Sequence, residues 1–229
     1  MELKGKSVVI VGGSSGLGLA TAKAAVNEGA NVMITGRSQE RLDNAQVSLD
    51  GQVEIAMVDA LCDSDMENLF NEHKALDHLF VTVGSYVADH HLEPPVTDLK
   101  RPVDDRLLAA LHATKYAFPY INPNGSITLM SGTAVVRPIT GTSMSSASCG
   151  AIEGLARGLA IDFSPIRVNA LRAGFFDTPF LEEALGNMRT AIVADLEERL
   201  LVGRIGKPEE AAAAVIFLME NDYVTGSCL

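Results

Sequence analysis

The residues of this chain that first suggest chemistry by type and spacing are Gly12-Gly13-Ser14-Ser15-Gly16-Leu17-Gly18. They follow a short apolar run, Ser7 to Val11, and lead into an Ala-rich segment from Leu17 to Glu28. The run reads as a buried strand and the segment as a helix, with Gly29 as its stop. Glycines between a strand and a helix let the backbone turn tightly and come close to a phosphate. The helix start then presents free N–H groups and the positive end of its dipole. In that context the pattern predicts a cradle for the pyrophosphate of a dinucleotide, formed by Gly12, Ser14, Ser15, Gly16, Leu17 and Gly18. The competing reading is a tight strand-to-helix turn without a ligand.

A second apolar run, Asn31 to Thr35, ends in Gly36-Arg37-Ser38. A carboxylate at the end of the second strand binds the ribose 2′-hydroxyl of NAD, whereas an arginine there accommodates the 2′-phosphate of NADP. This strand end carries no acid. Arg37 offers a bidentate fork and Ser38 a hydroxyl, so NADP(H) is favoured and NAD(H) remains possible. The alternative for Arg37 is a solvated surface side chain.

The elements that must position these groups alternate in period. Strands are expected at Val53–Val58, His78–Val83, Ser126–Met130 and Arg167–Leu171, with a last one at Val224–Leu229. Helices are expected at about Ser38–Leu49, Asp63–Lys74, Asp98–Tyr120, Ser143–Phe163 and Pro208–Met219. Asn187 to Gly206 breaks the rhythm and reads as a lid or insertion. Strands alternating with helices of this length imply βαβ crossovers. The chain is therefore expected to form, over residues 1–229, a single Rossmann-like doubly wound α/β domain with a mostly parallel, about seven-stranded sheet.

Composition narrows the function. The 229 residues carry 18 Lys and Arg against 29 Asp and Glu, a net charge of −11. That balance argues against a nucleic-acid partner, which usually needs a basic stripe. The longest apolar stretch, Ala211 to Met219, is too short to span a bilayer, and the N-terminus does not read as a signal peptide. Cys62, Cys149 and Cys228 cannot all pair and show no C-x-x-C spacing, so no metal site is expected and a reducing cytoplasm is.

With these residues in view, the chain resembles the short-chain dehydrogenase/reductase family over nearly its whole length. Gly12-x-x-x-Gly16-x-Gly18 resembles the family's cofactor loop, with Val11 in place of its threonine. Asp59, after Val58, resembles the adenine-side aspartate. Val81-Thr82-Val83-Gly84 stands where the family has Asn-Asn-Ala-Gly. Gly125-Ser126-Ile127 and Ile166-Arg167-Val168-Asn169-Ala170 resemble its fifth and sixth strands. Gly174 with Thr178 resembles the element that holds the nicotinamide carboxamide, with Ala173 replacing its proline. Gly206-Lys207-Pro208-Glu209-Glu210 and Tyr223-Val224-Thr225-Gly226 resemble its C-terminal region. The resemblance implies hydride transfer between a nicotinamide and a carbonyl or alcohol carbon, and pairing of Asp98–Tyr120 and Ser143–Phe163 helices into a homodimer or homotetramer.

The family's proton machinery is a Tyr-x-x-x-Lys pair, a serine and a helix asparagine. Here the resemblance puts Ser145 at the tyrosine, Cys149 at the lysine, Gly132 at the serine with Ser131 just before it, and Arg106 near the asparagine. No realignment restores the motif, because no tyrosine lies between Tyr120 and Tyr223 and no lysine between Lys115 and Lys207. A serine hydroxyl without an adjacent base is too weak an acid to replace a phenol.

Catalytic residues thus stay open, with weak substitutes. Tyr86 can supply a phenol from the end of the fourth strand, or pack as a lid residue. Arg106 can put a cation where the lysine is missing, or pair on the surface with Asp104 or Asp105. His90-His91 read as solvated loop residues, and Cys149 as a small packing residue. Ser131 and Ser145 can hydrogen-bond a bound carbonyl oxygen. Two functions follow. The first is an NADP(H)-dependent oxidoreductase acting on an unknown small carbonyl or alcohol. The second is an NADP(H)-binding protein without turnover, a sensor or inactive partner subunit. A fold relic with no cofactor conflicts with the intact loop.

Overall fold

The computed structural model describes residues 2–229. Six parallel strands form one sheet: β1 (Ser7–Val11), β2 (Asn31–Gly36), β3 (Val53–Met57), β4 (Leu76–Val81), β5 (Ile121–Gly132) and β6 (Arg167–Ala173). Their order is β3-β2-β1-β4-β5-β6. The direction of winding reverses between β1 and β4, which makes the carboxyl ends of those strands the expected ligand crevice. The expected doubly wound class is the one observed, with six strands rather than about seven. The C-terminal tail makes only an isolated parallel bridge to β6, Ala170 to Cys228, although its backbone hydrogen bonds continue from Gly226 to Leu229. The fifth strand starts at Ile121 instead of Ser126, and its register against β4 shifts between the Leu76–Ile121 and His78–Ser126 pairs.

The helices are α1 (Gly16–Asn27), α2 (Gln39–Ser48), α3 (Asp63–Glu72), α4 (Val96–Leu99), α5 (Arg101–Ala117), α6 (Ser143–Asp162), α7 (Pro179–Leu185), α8 (Arg189–Arg199) and α9 (Pro208–Glu220). The segment expected from Asp98 to Tyr120 is broken into α4, α5 and a final 3₁₀ turn at Phe118–Tyr120. The expected insertion after Asn187 is largely helical, as α8.

Strand alternation splits the core into two layers. Val9, Leu79, Ile127 and Val168 face Phe70 of α3, Ala109 and Ala113 of α5, and Ile152 of α6. Val8, Ile10, Ile34 and Phe80 face Ala22 of α1, Leu42 of α2 and Val215 of α9. Each such large side chain, fully buried, contributes about 1.5–3 kcal/mol. The alanines on α1, α5 and α9 keep the helices close to the sheet, so its upper edge is held as a stiff platform. No helix is long and apolar enough to cross a membrane among the described residues.

Candidate active site

The glycine loop is built by close packing at the end of β1. Gly12 has φ +90° and Gly16 φ +53°, a region open to glycine at little cost. A Cβ on Gly18 would lie 2.3 Å from the Gly12 carbonyl oxygen and 2.9 Å from Thr82 Cγ2. The N–H groups of Gly12 and Gly13 both donate to the Thr35 oxygen, at 3.1 and 3.0 Å, which hooks the loop to the end of β2. Ser15 is the N-cap of α1 with no side-chain cap, and no acid stands in the first turn. The first N–H groups of α1 are thereby left to an anion. By contrast, α3 and α9 carry acids in their first turns.

Two further glycines, given no role of their own in the sequence, shape this end. A Cβ on Gly13 would sit 2.7 Å from Ile34, and one on Gly36 3.1 Å from Ser14 Oγ. Position 36 is thus where the loop serine meets β2. Arg37, the next residue, is exposed and has no hydrogen bond or ion pair among the described residues. The Ser38 hydroxyl accepts the Arg41 N–H at 3.3 Å and caps α2. Arg41, also overlooked, lines a cavity of about 340 Å³ together with Ser14, Ser15, Asn44 and Pro179. A basic residue in the first turn of α2 was the available signal.

At the adenine-side position, Asp59 Oδ1 accepts the Leu61 N–H at 3.0 Å, which fixes the carboxylate at the turn after β3. Thr178 lies against the loop: a Cβ on Gly16 would be 3.6 Å from Thr178 Cβ. Its hydroxyl accepts the Leu181 N–H at 3.3 Å and caps α7. Gly174 is exposed at the end of β6, with Thr133 as its nearest neighbour. Leu17 offers its carbonyl to the Thr21 hydroxyl at 2.8 Å.

The segment after β4 joins this loop to the remaining candidates. Thr82 and Val83 abut Gly12, and the next residue, Gly84, abuts the Arg106 guanidinium: a Cβ there would be 2.7 Å from Nη2. Arg106 is turned inward from α5. Its Nη1 lies 3.5 Å from the Met130 oxygen and 3.8 Å from Cys149 Sγ, and its Nε is buried without a partner. The surface pairing weighed for it is absent among the described residues, since Asp104 pairs with Lys100 at 2.9 Å. Cys149 is buried, and a Cβ on Gly132 would be 3.1 Å from its sulfur.

The structure corrects the reading of Ser131. Its side chain is buried, donating toward Glu153 Oε1 at 3.0 Å and lying 3.2 Å from the Cys149 oxygen. The alternation of β5 turns this residue beneath α6 instead of toward the cleft. Glu153 in turn binds Arg172 through Nε and Nη2 at 2.8 and 2.7 Å. The Arg172 bonds hold the Glu153 carboxyl below its usual range, against the opposing effect of burial. Ser131 therefore belongs to an ion-pair network that joins β5, α6 and β6, not to the substrate-facing groups.

Ser145, in the first turn of α6, is half-buried with no hydrogen bond among the described residues. Tyr86 is half-buried in the loop after β4. Burial, and after it the charge of Asp89, push its phenol above the usual range. That is opposite to the lowered phenol an acid catalyst of this kind needs. His90 and His91 are exposed, as expected of loop residues, with the His90 ring against Gly141. The anchor of this loop is Asp89, which the sequence did not mark. It is buried, and its carboxylate accepts the N–H groups of Ser143 and Met144 at the start of α6. No group of three or more His, Cys, Asp or Glu that could hold a metal gathers among the described residues.

Comparison with known proteins agrees with this architecture. The family described as enoyl-(acyl carrier protein) reductase matches residues 11–229. The chain is 32% identical over 248 residues to the short-chain dehydrogenase/reductase malC of Malbranchea aurantiaca, covering 99% of this chain and 93% of that one. The solved MalC reductase/Diels-Alderase superposes with a TM-score of 0.91 at 29% identity, covering 99% and 95% of the two chains. A 3-oxoacyl-[acyl-carrier-protein] reductase of Thermotoga maritima is 29% identical over 243 residues, covering 100% of this chain and 97% of that one. A small-chain dehydrogenase solved in complex with NADPH superposes with a TM-score of 0.82 at 29% identity, covering 99% and 96%.

Proposed function

The chain belongs to the short-chain dehydrogenase/reductase family, and we propose that it is an NADP(H)-dependent oxidoreductase of a small carbonyl or alcohol substrate that works without a tyrosine–lysine pair. One observation carries the reading. The glycine cradle sits at the uncapped start of α1, beside an unpaired Arg37 at the end of β2. Gly18 lets the start of α1 pack against the Gly12 carbonyl, where a Cβ would lie 2.3 Å from the oxygen, and the uncapped N–H groups held there suit a pyrophosphate. Nicotinamide, when bound, supplies or accepts hydride.

The rest falls to the chain's own residues. Gly12, Ser14, Ser15, Gly16, Leu17 and Gly18 hold the pyrophosphate, Asp59 serves the adenine, and Arg37 and Ser38 meet the 2′-phosphate. Gly84, Gly174 and Thr178 serve the nicotinamide end. Ser145 is available to a substrate oxygen as a hydrogen-bonding group, and Arg106 supplies the cation that the lysine position lacks. General acid catalysis typically contributes about 10²–10⁴-fold, and that factor is missing here. NADPH binding with slow turnover of simple carbonyls is the expected behaviour.

The test is titration of NADPH and NADH, followed by NADPH consumption over a carbonyl panel. One charge-assisted contact is worth about 1.5–3 kcal/mol, or about tenfold to a hundredfold in affinity. NADPH should bind more tightly by that factor, and Arg37→Ala should remove most of the difference while sparing NADH. Equal affinities in the wild-type protein would refute the NADP assignment. Fast saturable turnover of a simple ketone would mean that an acid outside this set is at work. NADPH binding with no turnover of any carbonyl would leave the non-catalytic binder.

We also propose a homodimer or homotetramer through α5 and α6, supported by the exposed apolar Leu108, Leu111 and Ile161 on those helices. Light scattering decides it, and a monomer at micromolar concentration would sink it. The three free cysteines support a cytoplasmic location.

A further inference from the structure

We infer that Arg106 makes the cleft a binding site for a carboxylate, so that the substrate is an organic acid held by its anionic oxygens. The inference rests on the reading of this cleft as the substrate site. Two positions that stand where the resemblance puts the family's serine and lysine are small here, Gly132 and Cys149, and they lie beside Gly84, which is glycine in the family's pattern too. Together they form a notch. The guanidinium lies directly over Gly84, where a Cβ would come within 2.7 Å of Nη2, 3.0 Å of Cζ and 3.1 Å of Nε. Cys149 can sit beside Nη1 because Gly132 leaves room for its sulfur, at 3.1 Å from where a Cβ would be. The two losses, at the serine and lysine positions, are therefore not scattered. They combine to seat one larger cation that enters from α5.

That cation lacks compensation from the protein. Its contacts to the Met130 oxygen and to Cys149 Sγ, at 3.5 and 3.8 Å, are long for hydrogen bonds. Nε is enclosed with no partner. Neither Nη2 nor any other atom of the group meets a carboxylate among the described residues. A partly desolvated charge without a counter-ion is costly. The matching ligand is an anion with planar oxygens, which a guanidinium binds best. The cofactor's phosphates are provided for elsewhere, at the start of α1 and at Arg37. Arg106 sits instead past Thr82, Val83 and Gly84, where the carboxyl ends of β4 and β5 meet α6.

The test uses the full chain and a binding readout. The Arg106 Nε–H resonance is followed by ¹⁵N NMR, with and without NADP⁺, while benzoate, butyrate and their neutral amides are added. The resonance is assigned by its loss in Arg106→Gln. The carboxylates should move it saturably and the amides should not. Arg106→Gln should weaken carboxylate binding by about tenfold to a hundredfold, measured by calorimetry, and Arg106→Lys by less. Gly84→Ala provides a second variant if Arg106→Gln fails to fold. Its new methyl displaces only the end of a flexible side chain, so the fold survives while carboxylate binding weakens. The inference is overturned if neither carboxylate shifts the resonance, if the amides shift it equally, or if Arg106→Gln or Gly84→Ala binds carboxylate as well as wild type. NADPH titration is scored separately. NADPH binding without carboxylate binding defeats this inference alone, and absence of NADPH binding defeats the functional reading beneath it.

Discussion

Replacing Glu153 tests whether the strand ends that carry the cleft are held together by one buried ion pair. The Glu153 side chain is 5% exposed and that of Arg172 28%. The carboxylate accepts two bonds from Arg172 and one from Ser131, linking α6 to β6 and β5. In Glu153→Ala these donors lose their acceptor inside the fold. Breaking a buried pair by removing one partner costs about 3–5 kcal/mol. Water can reach part of the Arg172 side chain, so the expected loss is lower, about 2–4 kcal/mol. For a domain of this size that lowers Tm by roughly 5–15 °C. Urea unfolding at matched protein concentration measures it, since self-association would shift the midpoint. Glu153→Leu with Arg172→Met, which removes both charges, should recover much of the loss. The pH dependence has a definite sign. The folded-state carboxyl of Glu153 is held below its ordinary value of 4.5, so its contribution is complete above that value and is lost as pH falls through the depressed one. The gap between wild type and Glu153→Gln should stay constant near neutrality and close on acidification. A loss below about 1 kcal/mol for Glu153→Ala at neutral pH would refute the claim that this pair holds the three elements together.

Two other perturbations probe the site itself. Gly18→Ala would place its Cβ 2.3 Å from the Gly12 oxygen, a backbone atom that cannot swing aside. NADPH affinity should fall at least tenfold with a stability loss of about 1–3 kcal/mol, and unchanged cofactor affinity by fluorescence titration would contradict the cradle. Asp89→Ala removes the acceptor for the Ser143 and Met144 N–H groups. It should cost about 1–2 kcal/mol and speed hydrogen exchange from residue 84 to 95 and in the first turn of α6; unchanged exchange there would show that the loop is anchored by other contacts.

Several features were legible from residue order alone because they depend on local chemistry. An apolar run, a glycine cluster and an Ala-rich segment specify strand, turn and helix over a few residues, so the loop from Gly12 to Gly18 and the doubly wound class could be read directly. The same holds for Arg37 at the end of β2, and for the missing tyrosine and lysine, which are matters of composition. The third dimension decided which side chains face one another. Ser131 and Gly132 are neighbours in sequence and both meet α6, yet Ser131 is tied to Glu153 and the Cys149 carbonyl whereas Gly132 makes room for the Cys149 sulfur. Arg106 is separated from Gly84 by 22 positions and from Cys149 by 43. Helix periodicity could not tell whether its side chain points to Asp104, Asp105 or the sheet; the packing of α5 beside α6 turned it inward. Asp89 drew no attention in sequence because a cap supplied from another loop has no local spacing. Pairings between distant segments arise from the way the sheet orders its strands, and that ordering places the guanidinium, rather than a phenol and an ammonium, in the cleft.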